Sequence, residues 1–164
     1  MSADIIALLL SNFPLSMFVL ALILIAINRL VSKKISSAEI IYRWISLFPL
    51  GFTAIYAFVM HAFYPEFTAA TIGWASSPFQ YEVAMADLGF GAIAILSFRA
   101  NYGFRLATVI ANTFWLWGDA IGHIYQMISQ QNYSVGNAGS WFWMDIIIPL
   151  LLLITMCKLK KYEK

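Results

Sequence analysis

Asn112, Asp119, His123 and Gln126 fall at intervals of seven, four and three residues within the stretch NTFWLWGDAIGHIYQ. On a helix that spacing places all four along one face. Asp119 and His123 stand one turn apart and can address the same ion, proton or substrate group. A carboxylate beside an imidazole suits two kinds of chemistry. One is ligation of a borderline divalent metal; the other is proton transfer by a general acid and base. The bland alternative is a hydrogen-bonded pair that only pins two helices together. Ionisable groups inside an apolar run are costly to desolvate and commonly face a protein interior or a wet cavity, which favours a functional site. Gly118 and Gly122, four residues apart, are expected to admit a neighbouring helix.

The elements that must position this stripe are read from hydropathy. The chain has 164 residues, 62% of them hydrophobic and 11% charged, against about 25% charged in an ordinary soluble domain. This composition predicts an all-α, polytopic membrane protein built as one domain. Five transmembrane helices in a compact bundle are predicted, over about 5–28, 40–63, 78–99, 103–128 and 141–157. The first is read as a retained helix because Asp4, not a basic segment, precedes it. Pro14 predicts a kink in it, and Pro49 with Gly51 a bend in the second. Residues 64–82 hold FTAATIGW, apolar but too short to span, so a short helix at the interface or folded back into the bundle is expected. Gly89 and Gly91 suit close helix contact. Cys157 is the single cysteine, which excludes an internal disulfide and a thiolate-rich metal site.

The charges sort by side. With five helices, all ten basic residues fall at one side: Arg29, Lys33, Lys34, Arg43, Arg99, Arg105, Lys158, Lys160, Lys161 and Lys164. The positive-inside rule makes that side cytoplasmic, with the N-terminus outside and the C-terminus in the cytoplasm. Glu66, Glu82, Asp87, Asp119, Asp145, His61 and His123 fall in the opposite half. No Lys or Arg is available there, so these acids must be protonated, hydrogen-bonded, hydrated or bound to a cation. An outward-facing, electronegative pocket is the economical inference. Its candidate metal ligands are Asp119, His123, Glu82, Asp145 and His61. Asp87, Asn112, Gln126, Tyr81 and Tyr125 are further polar candidates. Glu66 reads as a loop charge and Glu39 as an ordinary one. Trp74, Trp115 and Trp117 read as packing or interfacial residues.

EFTAATIGWASSPFQYEV at 66–83, LGFG at 88–91, WGDAIGHI at 117–124 and GNAGSWFWMDIIIP at 136–149 together resemble a family of small bacterial integral membrane proteins known only as a domain of unknown function. The resemblance covers roughly residues 60 to 150. It implies a multi-helix protein of the bacterial inner membrane and carries no reaction with it.

Three functions remain open on the residues. The leading expectation is an outward-facing His/carboxylate site that binds or handles a divalent metal such as zinc, iron, manganese or nickel. The second is a membrane enzyme that works on a lipid-like substrate by Asp/His acid–base chemistry. An apolar cavity beside the acids would favour it, and a closed polar cage would favour metal. The third is a structural or accessory subunit, as a homo-oligomer or beside a larger membrane partner. The lipid bilayer is the expected environment, and nothing points to nucleic acid.

Overall fold

In a computed structural model that describes residues 2–32 and 34–159, the chain is helical throughout, with short connections and no strand among the described residues. Lys33, Lys160, Lys161 and Lys164, assigned above to the basic side, lie outside the described residues.

The first apolar run is divided where a single span over 5–28 is expected. It forms α1 (Ser2–Ser11) and α2 (Phe13–Val31), with Asn12 between them. The Asn12 amide donates to the Leu8 carbonyl at 3.1 Å, closing the end of α1. Pro14 sits in the first turn of α2, where a missing N–H costs nothing. Pro14 therefore starts a helix instead of kinking one.

The second apolar run is continuous over Ser37–Phe63. It comprises α3 (Ser37–Ile45), a π-helical segment (Ser46–Phe52) and α4 (Thr53–Phe63). Pro49 lies in the π-helical segment. Its ring clashes with a preceding carbonyl and it has no N–H to donate, so the helix widens locally. The bend expected at Pro49 and Gly51 takes this form.

The short helix expected within 64–82 is α5 (Pro65–Ile72), stopped by Gly73 at φ 83°, a left-handed conformation natural to glycine. It folds back against α6 and α8. Then come α6 (Phe79–Leu96) with a 3-10 turn at Ser97–Arg99, α7 (Tyr102–Gln130), α8 (Val135–Ala138) and α9 (Ser140–Leu159). Asn101 caps α7 by accepting from the Phe104 N–H at 2.9 Å.

Four helical stretches among the described residues are long and apolar enough to cross a membrane: Phe13–Val31, Ser37–Phe63, Phe79–Arg99 and Val135–Leu159. The fourth expected span, over about 103–128 and formed by α7, is not one of them. Its 29 residues reach about 43 Å at the usual helical rise, but its polar stripe lowers its hydropathy.

The main core lies where α2, α3, α7 and α9 meet, around Tyr42, Ile45, Val109, Ile148, Leu152 and Met156. At this end Glu39 is no ordinary loop charge. Arg105 grips its carboxylate through two nitrogens, at 2.5 and 2.9 Å, and Arg43 adds a third contact at 2.6 Å. Arg105 also donates to the carbonyls of Ser97 and Phe98.

Close helix contact occurs at Gly51 and Gly91. A Cβ on Gly91 would lie 3.1 Å from both the Ala54 Cβ and the Gly51 carbonyl oxygen. The expectation for Gly89, Gly118 and Gly122 is overturned: a Cβ on any of them would meet nothing within 4 Å. Gly118 and Gly122 do not lie at a close contact, so the space beside them is open.

Candidate functional site

At the end of the bundle away from Arg105, the helices enclose a cavity of about 140 Å³. α4 supplies His61 to its wall, α6 supplies Asp87, and α9 supplies Trp141 and Asp145. α7 supplies Asn112, Trp115, Asp119 and His123, three members of the expected polar stripe among them. Residues 112, 119 and 123 share the face that α7 turns inward, as their spacing requires. Trp74 closes the wall from the loop after α5, its ring stacked at 6.2 Å from that of His123.

The hydrogen bonds around His123 fix its tautomer. Asn137 spends its amide hydrogens on two carbonyls, those of Asn132 at 2.8 Å and His123 at 3.3 Å. Its Oδ1 can then only accept, so the His123 Nδ1, 2.8 Å away, is the donor. In the neutral ring Nε2 is left as a proton acceptor. The nearest carboxylate to it is Asp145, with Oδ2 at 3.8 Å.

The other groups are held by local partners. The Trp115 indole N–H donates to Asp87 Oδ1 at 3.2 Å. The Asn112 amide donates to the Thr108 carbonyl at 2.9 Å. His61 Nδ1 is hydrogen-bonded to the side-chain oxygen of the buried Gln80. Asp87 and Asp145 both lie within electrostatic range of Asp119. Among the described residues, no Lys or Arg lines the cavity.

A second, larger chamber adjoins the first. It measures about 720 Å³, runs between α1, α4 and α5, and is open along one side, where Leu10, Val59, Tyr64 and Phe67 are exposed. Its wall is mainly apolar or aromatic, including Leu10, Val59, Met60, Tyr64 and Phe67. Ala57, His61, Ile72, Gly136 and Trp141 line both spaces. The volume lies within the range of pockets that take drug-sized molecules.

The structure thus brings Asp119, His123, Asp145, His61, Asp87 and Asn112 to one cavity wall. It does not bring Glu82, Gln126, Tyr81 or Tyr125 there. Glu82, Tyr81 and Tyr125 are exposed, and Gln126 is half-buried beyond the cavity. Glu82 lies in the first turn of α6, more than one helical turn before Asp87. Among the described residues, no three of His, Cys, Asp and Glu lie close enough together to hold a metal ion. Three residues that matter were not singled out from the sequence. Asn137 orients His123, Gln80 binds His61, and Thr53 places an enclosed hydroxyl oxygen without a hydrogen-bond partner in a side chain of the same wall. The polar, Gly-rich sequence around Asn137 signals only a loop; its role depends on the fold.

These features define an all-helical protein with several membrane-capable helices and an acidic cavity enclosed at one end of the bundle. The chain belongs to DUF6790, a family of unknown function, whose match covers residues 11–164. The match extends the region of resemblance, roughly 60 to 150, to nearly the whole chain. No curated protein and no solved structure matches it.

Proposed function

We propose that this protein binds a lipid-like molecule inside its helical bundle and that Asp145 and His123 exchange a proton with the bound polar group. The apolar body occupies the 720 Å³ chamber and the polar end enters the acidic cavity. The observation that carries this reading is the shared wall: five residues line both spaces. Amphiphile recognition needs that juxtaposition, and a site for a bare ion does not. His123 Nε2, oriented through Asn137, is the proton acceptor, with the Asp145 carboxyl group beside it.

Counting α7 as a span gives five crossings, with the Arg105 end in the cytoplasm and the acidic cavity toward the outside of the inner membrane. The polar face of α7 lines the cavity, so its low hydropathy is compatible with crossing.

The test is lipid extraction from the purified chain followed by mass spectrometry, compared with a Thr71→Trp variant that places an indole in the larger chamber. A co-purifying amphiphile that the variant loses supports the reading. Equal lipid content in the two proteins counts against it.

A divalent metal is the second reading. The observation in its favour is that three carboxylates and two imidazoles line one cavity without a basic residue. Elemental analysis of untagged protein tests it. Near-stoichiometric zinc, iron, manganese or nickel, lost in the Asp119→Ala/His123→Ala variant, would establish this reading over the first.

A further inference from the structure

We propose that the polar end of the bound molecule is a protonated primary amine, so that the ligand is a long-chain alkylammonium amphiphile. This rests on the reading above and names the chemical class of its ligand. Three independent features of the cavity converge on it.

The first is charge. Asp87, Asp119 and Asp145 line the cavity, and among the described residues neither space is lined by Lys or Arg. The arginines that pair with a carboxylate, Arg43 and Arg105, are committed to Glu39 at the opposite end. A phosphate or carboxylate head group would find three carboxyl groups here and no Lys or Arg to pair with. An ammonium supplies the counter-charge that lets carboxylates remain ionised away from water.

The second is hydrogen-bonding polarity. Asn112 is 2% exposed and spends its amide on the Thr108 carbonyl, which leaves its Oδ1 as an unused acceptor. Asp87 is 6% exposed and engages Oδ1 with Trp115, which leaves Oδ2. His123 offers Nε2, and the Thr53 oxygen is enclosed without a hydrogen-bond partner. All four side chains line the cavity. The wall is rich in acceptors that lack donors. A primary ammonium brings three donors on one atom, whereas an alcohol brings one.

The third is the aromatic lining. Trp74, Trp115 and Trp141 border the cavity, and an indole face attracts a cation through its quadrupole. A bare metal ion would use neither these rings nor the adjoining apolar chamber.

The full chain in nanodiscs of uncharged lipid is titrated with dodecylamine, dodecanol and dodecanoate, and binding is read by native mass spectrometry. Binding to the Thr71→Trp variant, whose larger chamber is obstructed by the indole, is subtracted as background. Dodecylammonium is expected to bind roughly tenfold tighter than dodecanol or better, the margin of a desolvated charge pair, with dodecanoate weakest. In Asp119→Asn/Asp145→Asn the preference for the amine over dodecanol is expected to collapse. Should that variant fail to fold, Asp87→Asn is read for a smaller loss of the same preference. Equal binding of amine and alcohol overturns the ammonium assignment and leaves the lipid-like reading standing. Specific binding of none of the three overturns both.

Discussion

The His123 ring donates from Nδ1 to Asn137 Oδ1 at 2.8 Å, while the Asn137 amide donates back to the His123 carbonyl at 3.3 Å. A four-residue helix, α8, thereby sets the proton inventory of a residue on α7. Asn137→Leu removes one acceptor and leaves two buried carbonyls short of a donor. We expect it to lower stability by about 2–4 kcal/mol, in line with loss of a buried polar network. Thermal unfolding in detergent measures this. His123→Gln is expected to be milder, because it keeps a hydrogen-bonding side chain beside Asn137.

Arg105 and Glu39 tie the start of α7 to α3 at the other end of the bundle. Arg105→Met leaves a partly buried carboxylate with Arg43 alone and is expected to cost about 3 kcal/mol. Arg105→Met/Glu39→Met is expected to recover part of that loss, because no charge is then stranded. A double-mutant cycle on thermal stability separates the two contributions.

The glycines give a contrast within one protein. Gly91→Ala places a methyl 3.1 Å from the Ala54 Cβ and from the Gly51 carbonyl oxygen. About 1–3 kcal/mol of destabilisation is expected from the overpacking. Gly89→Ala, Gly118→Ala and Gly122→Ala meet nothing within 4 Å and are expected to be neutral or to stabilise by up to about 1 kcal/mol through helix propensity. Comparing the four melting temperatures checks the assignment of the close contact.

The five-crossing reading makes the two ends of α7 face opposite compartments. Cys157, the sole cysteine and exposed, is expected to react with an impermeant maleimide only after permeabilisation. In a Cys157→Ser background, Tyr133→Cys, at an exposed position after α7, is expected to react in intact cells. In the same background Arg99→Cys, at an exposed position before α7, is expected to react only after permeabilisation, and labelling of Arg99→Cys and Tyr133→Cys from the same side would remove α7 from the set of crossings.

Much of the architecture was legible in the sequence because apolar length alone predicts membrane-capable helices. The stripe on α7 was legible too: a period close to a helical turn needs no tertiary information, and Asn112, Asp119 and His123 do face one cavity. What failed was whatever depended on depth or neighbours. Glu82 was grouped with the site because it is an acid in the half of the chain that lacks Lys and Arg, yet it lies exposed in the first turn of α6. The Gly118/Gly122 pair has the spacing of a packing motif, but no helix sits against it. The break at Asn12 was hidden because the run stays apolar on both sides of it. Asn137 and Gln80 were passed over because an amide carries no charge signal, and their roles as partners of His123 and His61 exist only in the folded chain.

The most direct test of the central claim is photolabelling of the chain in nanodiscs with a diazirine-bearing long-chain amine and the matching alcohol, followed by peptide mapping. The account predicts saturable labelling of the larger chamber at Met60, Thr68 and Thr71, competed by unlabelled ligand and lost in Thr71→Trp. Labelling confined to outward-facing positions of α2 such as Val19 and Ile23, without saturation, would show contact with bulk bilayer alone and contradict it.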